Sequence, residues 1–333
     1  MSKKIFRKIS ALLLVSVMLF AAGCANTTTA PEKAKETAKY PEKDMNFVVW
    51  SSAGSSLDVF MRQLAQPLSK DLGKNIAVEN KTGGSGAVAM SYVDSLPADG
   101  YNILSTTGSM TFTMAQGITT FKPDDFQMLM TAQAEPSAIA VLNESPLKTL
   151  DDFVKTMKGD PTKLSIGGYA SGGFHNFVMS KFKKAAGFEA VWIPFEGGND
   201  AVVALLGKHI DVAFVTPSSA LSQIMDGKIR LLALSTSERS PNYKEVPTFK
   251  EKGYDIEEVL WRGVMVKKGT PPDVVETLNA AMTKAIDTPE FKKYMKDANQ
   301  EEFRLGPDKM RELVDKEFKE RTEFLKELKL VKK

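Results

Sequence analysis

From Met45 onward, short β-rich runs alternate with stretches whose apolar residues recur every three or four positions. Phe47-Val48-Val49-Trp50 predicts a strand, and 55–72 a helix with Leu57, Phe60, Met61, Leu64, Leu68 and Leu72 on one face, closed by Gly73. Residues 76–78 predict the next strand, 87–96 a helix, and 101–105 a third strand after the turn Pro97-Ala98-Asp99-Gly100. After an apolar run at 139–142 the cycle restarts. Helices are expected over 150–157, 174–186, 201–206 and 219–225, with strands over 164–166, 191–195, 210–215 and 231–235. A strand near 264–266 precedes three helical stretches, 272–286, 289–297 and 308–328, so the chain is expected to end on helices. This alternation predicts an α/β fold with helices on the faces of its sheet, and no internal repeat of fixed period appears.

The first 44 residues obey a different pattern. Residues 1–23 carry Lys3, Lys4, Arg7 and Lys8 and no acid, then an apolar run at 11–20, then Ala21-Ala22-Gly23-Cys24. The run is shorter than the ~20 residues of a membrane-spanning helix, and the layout is that of an export signal. Small residues followed by Cys resemble a bacterial lipobox, in which the thiol is acylated and the chain is cut before it. Ala21 stands where lipoboxes more often carry Leu. Lipidation of Cys24 is the expectation, and ordinary cleavage nearby with an incidental Cys24 is the other reading. Residues 24–44, rich in Thr, Ala, Lys and Glu without periodicity, are expected to form a flexible tether.

Charge and composition then change the picture. The whole chain of 333 residues has a formal charge of +3. Removing the first 23 residues leaves 310 and takes four positive charges, turning +3 into −1. The basic surplus belongs to the export segment, so nucleic acid is not expected as a partner. A length near twice the ~150-residue prior suggests two domains. One cysteine permits no internal disulfide, and Cys24, His175 and His209 are too few for a closed structural zinc site, although a site of Asp and Glu alone stays open.

The candidate chemistry lies in five loops that follow strands and open helices. They are Ser51-Ser52-Ala53-Gly54-Ser55-Ser56, Lys81-Thr82-Gly83-Gly84-Ser85-Gly86, Thr106-Thr107-Gly108-Ser109, Gly167 to Gly173, and Glu196-Gly197-Gly198-Asn199. Glycine lets backbone approach a ligand, while hydroxyls and first-turn N–H groups form an anion-binding lining. Capping and turn formation are the commoner uses of these residues, but five such loops at strand ends suit a cleft for a small carboxylate or phosphate. Gly84 to Ala89 fits G-x-G-x-x-A, yet it follows the second strand and no acid ends the next one. Neither G-x-S-x-G nor a Walker loop occurs. His175 is expected to cap its helix or line the pocket, and His209 to lie at the surface.

The order of these loops with their flanks resembles the substrate-binding receptors of the tripartite tricarboxylate transporters, the Bug-type periplasmic binding proteins. It is carried by Ala53-Gly54 with Asp58 and Arg62, Val78-Glu79-Asn80 leading into Gly83-Gly84-Ser85-Gly86, and Pro97-Ala98-Asp99-Gly100-Tyr101. Beyond these come Tyr169-Ala170-Ser171-Gly172-Gly173 with His175, Pro194-Phe195-Glu196-Gly197-Gly198, Arg239-Ser240-Pro241, Val246-Pro247-Thr248 and Gly269-Thr270-Pro271. The resemblance implies a two-lobed type II periplasmic-binding-protein fold with the ligand cleft between lobes, the chain crossing twice. Lobe one would be 45–139 plus 260–333, and lobe two 140–259. Carried over by position, the ligand-binding residues would be Ser51, Ser52, Ala53, Gly54, Ser55, Ser56, Thr107, Gly108 and Ser109 from lobe one. Lobe two would supply Ser171, Gly172, Gly173, His175, Phe195, Gly197, Gly198 and Thr216. Asp58 and Arg62 are expected to pair and brace the first helix. Arg262, at the return crossing, would either grip a carboxylate bidentately or form a bracing salt bridge.

Three departures stand out. Trp50-Ser51-Ser52 replaces a frequent Pro-Phe-Pro, Glu196 replaces a frequent Lys, and Val215-Thr216 stand where relatives often have Phe and Asp. The expected function is a lipid-anchored extracytoplasmic receptor that captures a di- or tricarboxylate and passes it to integral-membrane transporter subunits. It would be a monomer that uses no cofactor or metal and catalyses nothing. The alternatives are an enzyme acting on a carboxylate or nucleotide in the same cleft, and a surface lipoprotein that binds a protein partner.

Overall fold

Two β-sheets organise residues 40–332, the part of the chain that the computed structural model describes. In chain order the first series is β1 (Met45–Val49), α1 (Ser56–Leu72), β2 (Ile76–Asn80), α2 (Ala87–Asp94), β3 (Asn102–Thr107), α3 (Gly108–Ala115) and β4 (Phe126–Pro136). The second is β5 (Ala138–Leu142), α4 (Leu150–Gly159), β6 (Ile166–Tyr169), α5 (Phe174–Ala186), β7 (Trp192–Phe195), α6 (Gly198–Leu206), β8 (Val212–Val215), α7 (Leu221–Met225) and β9 (Ile229–Leu234). The chain then continues through β10 (Val259–Lys267), α8 (Pro272–Asp287), α9 (Pro289–Asp297), β11 (Glu301–Leu305) and α10 (Pro307–Glu327).

The first sheet has the order β11-β4-β10-β3-β1-β2, with β1 parallel to β2 and β3 and with β10 antiparallel to β3 and β4. The second has the order β7-β6-β8-β5-β9, with β6 parallel to β7 and β8 and with β5 antiparallel to β8 and β9. Helices bury both faces of each sheet. Phe60, Leu64, Leu278 and Phe291 from α1, α8 and α9 cover one face of the first, and Met90, Met310 and Val314 from α2 and α10 cover the other. Phe153, Phe177 and Phe182 from α4 and α5 cover one face of the second, and Ala201 and Leu205 from α6 the other. The expected two-lobed α/β architecture is what these layers build.

The chain leaves the first sheet between Pro136 and Ala138 and returns between Leu234 and Val259. The two crossings are hydrogen-bonded to each other. Ser137 N–H donates to Ser235 Oγ (2.8 Å), Ser235 N–H donates to the Ser137 carbonyl (3.0 Å), and Ser235 Oγ donates to the Glu258 carbonyl (2.5 Å). Both serines are fully buried, so this stitch closes the backbone groups that a crossing would otherwise leave open. Beside it, Phe112 of α3, Phe177 of α5 and Phe324 of α10 form an aromatic triangle with centroid separations of 5.0–6.4 Å, joining the two halves through apolar contact.

Several expectations are corrected. The helix α3 and the eleven-residue strand β4 were not foreseen, and the chain does not end on helices alone, because β11 lies between α9 and α10. Gly167 and Gly168 lie within β6 rather than in a loop, and 217–220 form a 3₁₀ turn before the short α7. Residues 40–42, expected to belong to a flexible tether, are packed against the turn at 100–101. Tyr40 O–H donates to the Gly100 carbonyl (2.7 Å), its ring meets Tyr101 edge-on, and Glu42 N–H donates to the Tyr101 hydroxyl (2.9 Å). The expected export segment and Cys24 lie outside the described residues. Among the described residues no helix is long and apolar enough to cross a membrane.

Candidate ligand-binding site

The loop between β1 and α1 is built around one buried carboxylate. Asp58 is 2% exposed, and its Oδ2 accepts from Gly54 N–H (2.9 Å) and from Arg62 Nε (2.9 Å), while Oδ1 accepts from Asn80 Nδ2 (2.9 Å). Asn80 also donates to the Ser51 carbonyl (2.9 Å). Burial works against the charged form of Asp58, but the bonds from Arg62, Gly54 and Asn80 prevail and hold its pKa below the ordinary value. The expected Asp58–Arg62 brace is therefore present. Ser55 caps α1 by accepting from Asp58 N–H (3.3 Å), and Ser51 Oγ lies 2.6 Å from Ser55 Oγ. Ser52, Ala53, Gly54 and Ser56 are exposed, and Ser51 and Ser55 half-buried.

Two neighbouring loops are tied to this one. Gly83, Gly84, Ser85 and Gly86 all have positive φ (128°, 55°, 51° and 104°), a run that glycine tolerates at three of its four positions. The Ser85 carbonyl accepts from Thr113 Oγ1 (2.8 Å), which fixes this strained turn to α3. Thr107 caps α3 by accepting from Ser109 N–H (3.0 Å). Gly108 is buried because Arg321 of α10 reaches under it, donating to the Gly108 carbonyl and to Thr111 Oγ1. Arg321 is itself fully buried, paired with Glu317 (2.7 Å) over the face of Phe112. Glu317 also accepts from Trp261 Nε1 (3.0 Å).

On the second sheet the loops are shaped by close packing. Ala170 N–H donates to the Phe195 carbonyl (2.9 Å), joining the turns after β6 and β7, and a Cβ added at Gly198 would lie 2.8 Å from Ser219 Oγ. Thr216 is buried with its Oγ1 3.0 Å from Ser219 Oγ. Ser171 is exposed, whereas Gly172 is buried against Gln116, Leu325 and Leu330 and donates its N–H to Asn176 Oδ1 (2.9 Å). Gly173, Phe195 and Gly197 are half-buried. His175 neither caps α5 nor meets the exposed hydroxyls. It is 5% exposed, its Nδ1 lies 2.8 Å from Ser137 Oγ at the crossing, and burial pushes its pKa down to about 3. His209 is exposed, as expected.

Arg262 joins the two sets of loops. Its Nη1 donates to Glu135 Oε1 (2.7 Å) and to Gln300 Oε1 (3.3 Å), and its Nη2 donates to Ser56 Oγ (3.0 Å) at the start of α1. The other oxygen of Glu135 accepts from Ser218 N–H (3.3 Å), beside Thr216. Arg262 and Glu135 are 4% and 3% exposed. The β10–β4 register shifts between Arg262 and Gly263, beside this side chain. One buried ion pair is thus hydrogen-bonded to a loop of the first sheet and to a loop of the second. The bracing geometry considered for Arg262 is the one present.

Glu135, Ser218 and Gln300 were missed by sequence reasoning. Their one visible sign was Glu135 itself, the sole charged residue between 126 and 142. Five helices of eight or more residues, α1, α2, α3, α5 and α6, begin at the loops described, so their unpaired first-turn N–H groups face anions favourably. The segments 51–56, 107–109, 171–175, 195–198 and 215–219 contain no Lys or Arg, and their one charged residue, Glu196, is exposed. Among the described residues no group of three or more His, Cys, Asp and Glu is placed to hold a metal ion.

Comparison with known proteins shows what the chain is similar to. The family model described as tripartite tricarboxylate transporter family receptor matches residues 60–330. Protein BugT of Bordetella pertussis is 27% identical over 282 residues, covering 83% of this chain and 84% of that protein. The crystal structure of a TctC solute binding protein from Polaromonas is 26% identical with a TM-score of 0.77, covering 86% of this chain and 99% of its own. The periplasmic binding protein BugD is also 26% identical, with a TM-score of 0.74, and covers 88% of this chain and 100% of its own.

Proposed function

The chain belongs to the tripartite tricarboxylate transporter receptor family, and from that premise we propose that it captures a small di- or tricarboxylate between two lobes and presents it to integral-membrane transporter subunits. The observation that carries this reading is one buried ion pair, Arg262 bonded to Ser56 and Glu135 to Ser218 N–H, because it draws the ligand loops of the two sheets toward one floor. In our reading 45–139 with 260–333 form lobe one and 140–259 lobe two. The ligand is held by exposed hydroxyls and helix N-termini, with residues 51–56 and 107–109 on one side and 171–173, 195–198 and 216 on the other. A ligand that touches both lobes stabilises the closed population by its differential affinity, so no covalent chemistry is needed. His175, the histidine in the first turn of α5, is turned to Ser137 and kept neutral, which favours binding over catalysis. Cys24 would anchor the monomeric receptor outside the cytoplasm, with the residues before Tyr40 as its tether.

Isothermal calorimetry with mono-, di- and tricarboxylates tests the reading. Saturable heat with at least one polycarboxylate and no change in the recovered compound is the expected outcome. No heat across the panel, or conversion of any member, would sink it.

A further inference from the structure

We propose that Glu135 sets the charge selectivity of the cleft by cancelling the field of Arg262 beneath the ligand loops. This rests on the receptor reading and adds to it a residue that touches no ligand. The guanidinium of Arg262 is directed to Ser56 at the rim of one loop, and the carboxylate of Glu135 to Ser218 N–H at the rim of the other. Each is nine-tenths or more buried, so water screens neither well. Gln300 completes the arrangement without charge, accepting from Arg262 Nη1 and from Gln133 Nε2 (2.8 Å). Tyr294 adds no charge either. Burial above all, with Glu135 acting against Arg262, pushes its hydroxyl up to about 12.

The floor is therefore neutral by pairing. Since the five segments above contain no Lys or Arg, they meet the ligand with helix N-termini and hydroxyls. An unpaired cation in this position would favour each further carboxylate on a ligand, and an unpaired anion would oppose it. The Glu135–Arg262 pair does neither, so Glu135 removes the preference for the more highly charged ligand that Arg262 alone would impose.

The experiment uses three probes on one carbon frame: butyrate, glutarate and propane-1,2,3-tricarboxylate, titrated at pH 8 into the wild-type protein and two variants. Glu135→Gln keeps an oxygen for Arg262 and removes the negative charge. It is expected to raise the affinity for the tricarboxylate relative to glutarate on the order of tenfold. Gln300→Glu adds a negative charge 3.3 Å from Arg262 at a half-buried position, and is expected to lower the same ratio by a similar factor. Thermal melting checks that each variant is folded, and if Glu135→Gln is not, Gln300→Glu decides alone. A purely bracing pair would change all three affinities by one common factor. Wild-type binding with ratios that stay within twofold in the folded variants overturns the role of Glu135 and leaves the receptor reading intact. A wild-type protein that binds none of the three overturns the carboxylate reading and this inference with it.

Discussion

The two loop regions tied to the Glu135–Arg262 pair are held by opposite means. On the first sheet, residues 51–62 are organised from within by Asp58, an ionised hub that collects donors from Gly54, Arg62 and Asn80. On the second sheet, the turn after β6 is shaped from beneath by sterics. A Cβ added at Gly168 would lie 2.5 Å from the Phe214 carbonyl and 2.6 Å from the Trp192 ring, and one added at Gly167 would lie 2.6 Å from the Phe195 ring. Polar bracing tolerates small displacements but depends on charge. Steric bracing ignores charge but tolerates no added volume. A receptor that closes on a ligand needs both sides in shape beforehand, and this one reaches that end by two routes.

The largest expected effect breaks the steric side. Gly168→Ala must displace a backbone carbonyl, not merely a flexible side chain, and should lower stability by about 3 kcal/mol in denaturant unfolding. A loss below about 1 kcal/mol would show that β6 can shift and that the packing is not what shapes the turn.

Next comes the polar side. Asp58→Ala leaves the N–H of Gly54 and Arg62 Nε without their acceptor, and should lower stability by about 2 kcal/mol. Because the loop loses its preorganised form, carboxylate affinity should fall by roughly tenfold as well, read by the same calorimetry. An unchanged affinity would mean that the exposed hydroxyls of 51–56 need no hub.

The smallest effect per step separates the two regions by pH. His175 has a folded pKa of about 3 against an ordinary 6.5, so the unfolded chain takes up its proton first. Its contribution to stability is complete above pH 6.5 and declines by about 1.4 kcal/mol for each pH unit below that, down to about pH 3. Asp58 is also depressed, but by bonds to its charged form, and its contribution persists until the pH falls below 3.8 toward its lowered value. Acidification should therefore loosen the crossing beside α5 well before it reaches the β1–α1 loop. His175→Gln should flatten the slope of melting temperature between pH 6.5 and 5, and an undiminished slope would assign the sensitivity elsewhere.

Much of this architecture was legible in the sequence, for identifiable reasons. The helices α1, α5 and α9 carry one apolar stripe each and clear terminal residues, and their bounds came within a residue of those observed. By contrast, α3 is buried on every side from Met110 to Ala115, so it has no stripe to read. The strand β4 is buried over most of its length and built from Met, Ala and Gln with little alternation, which hides it from a period-two search. The strand β11 reads Glu-Glu-Phe-Arg-Leu, an edge strand disguised by charge. The loops announced themselves through Gly, Ser and Thr, but the tie between them did not. Glu135 and Arg262 stand 127 positions apart, and only the β4–β10 register, bulge included, brings them together.

The contact between Arg321 and Gly108 spans 213 positions, and it gives the loop at 107–109 a place in time as well as in space. During synthesis, β1, β2 and β3 can pair long before α10 has been made, whereas the carbonyl of Gly108 waits for the helix that supplies its guanidinium. Contacts of such separation form late and slowly. A chain interrupted anywhere between residues 108 and 320 can therefore possess its parallel strands β1, β2 and β3 and still lack the guanidinium beneath the loop at 107–109, so that a finished loop reports a finished polypeptide.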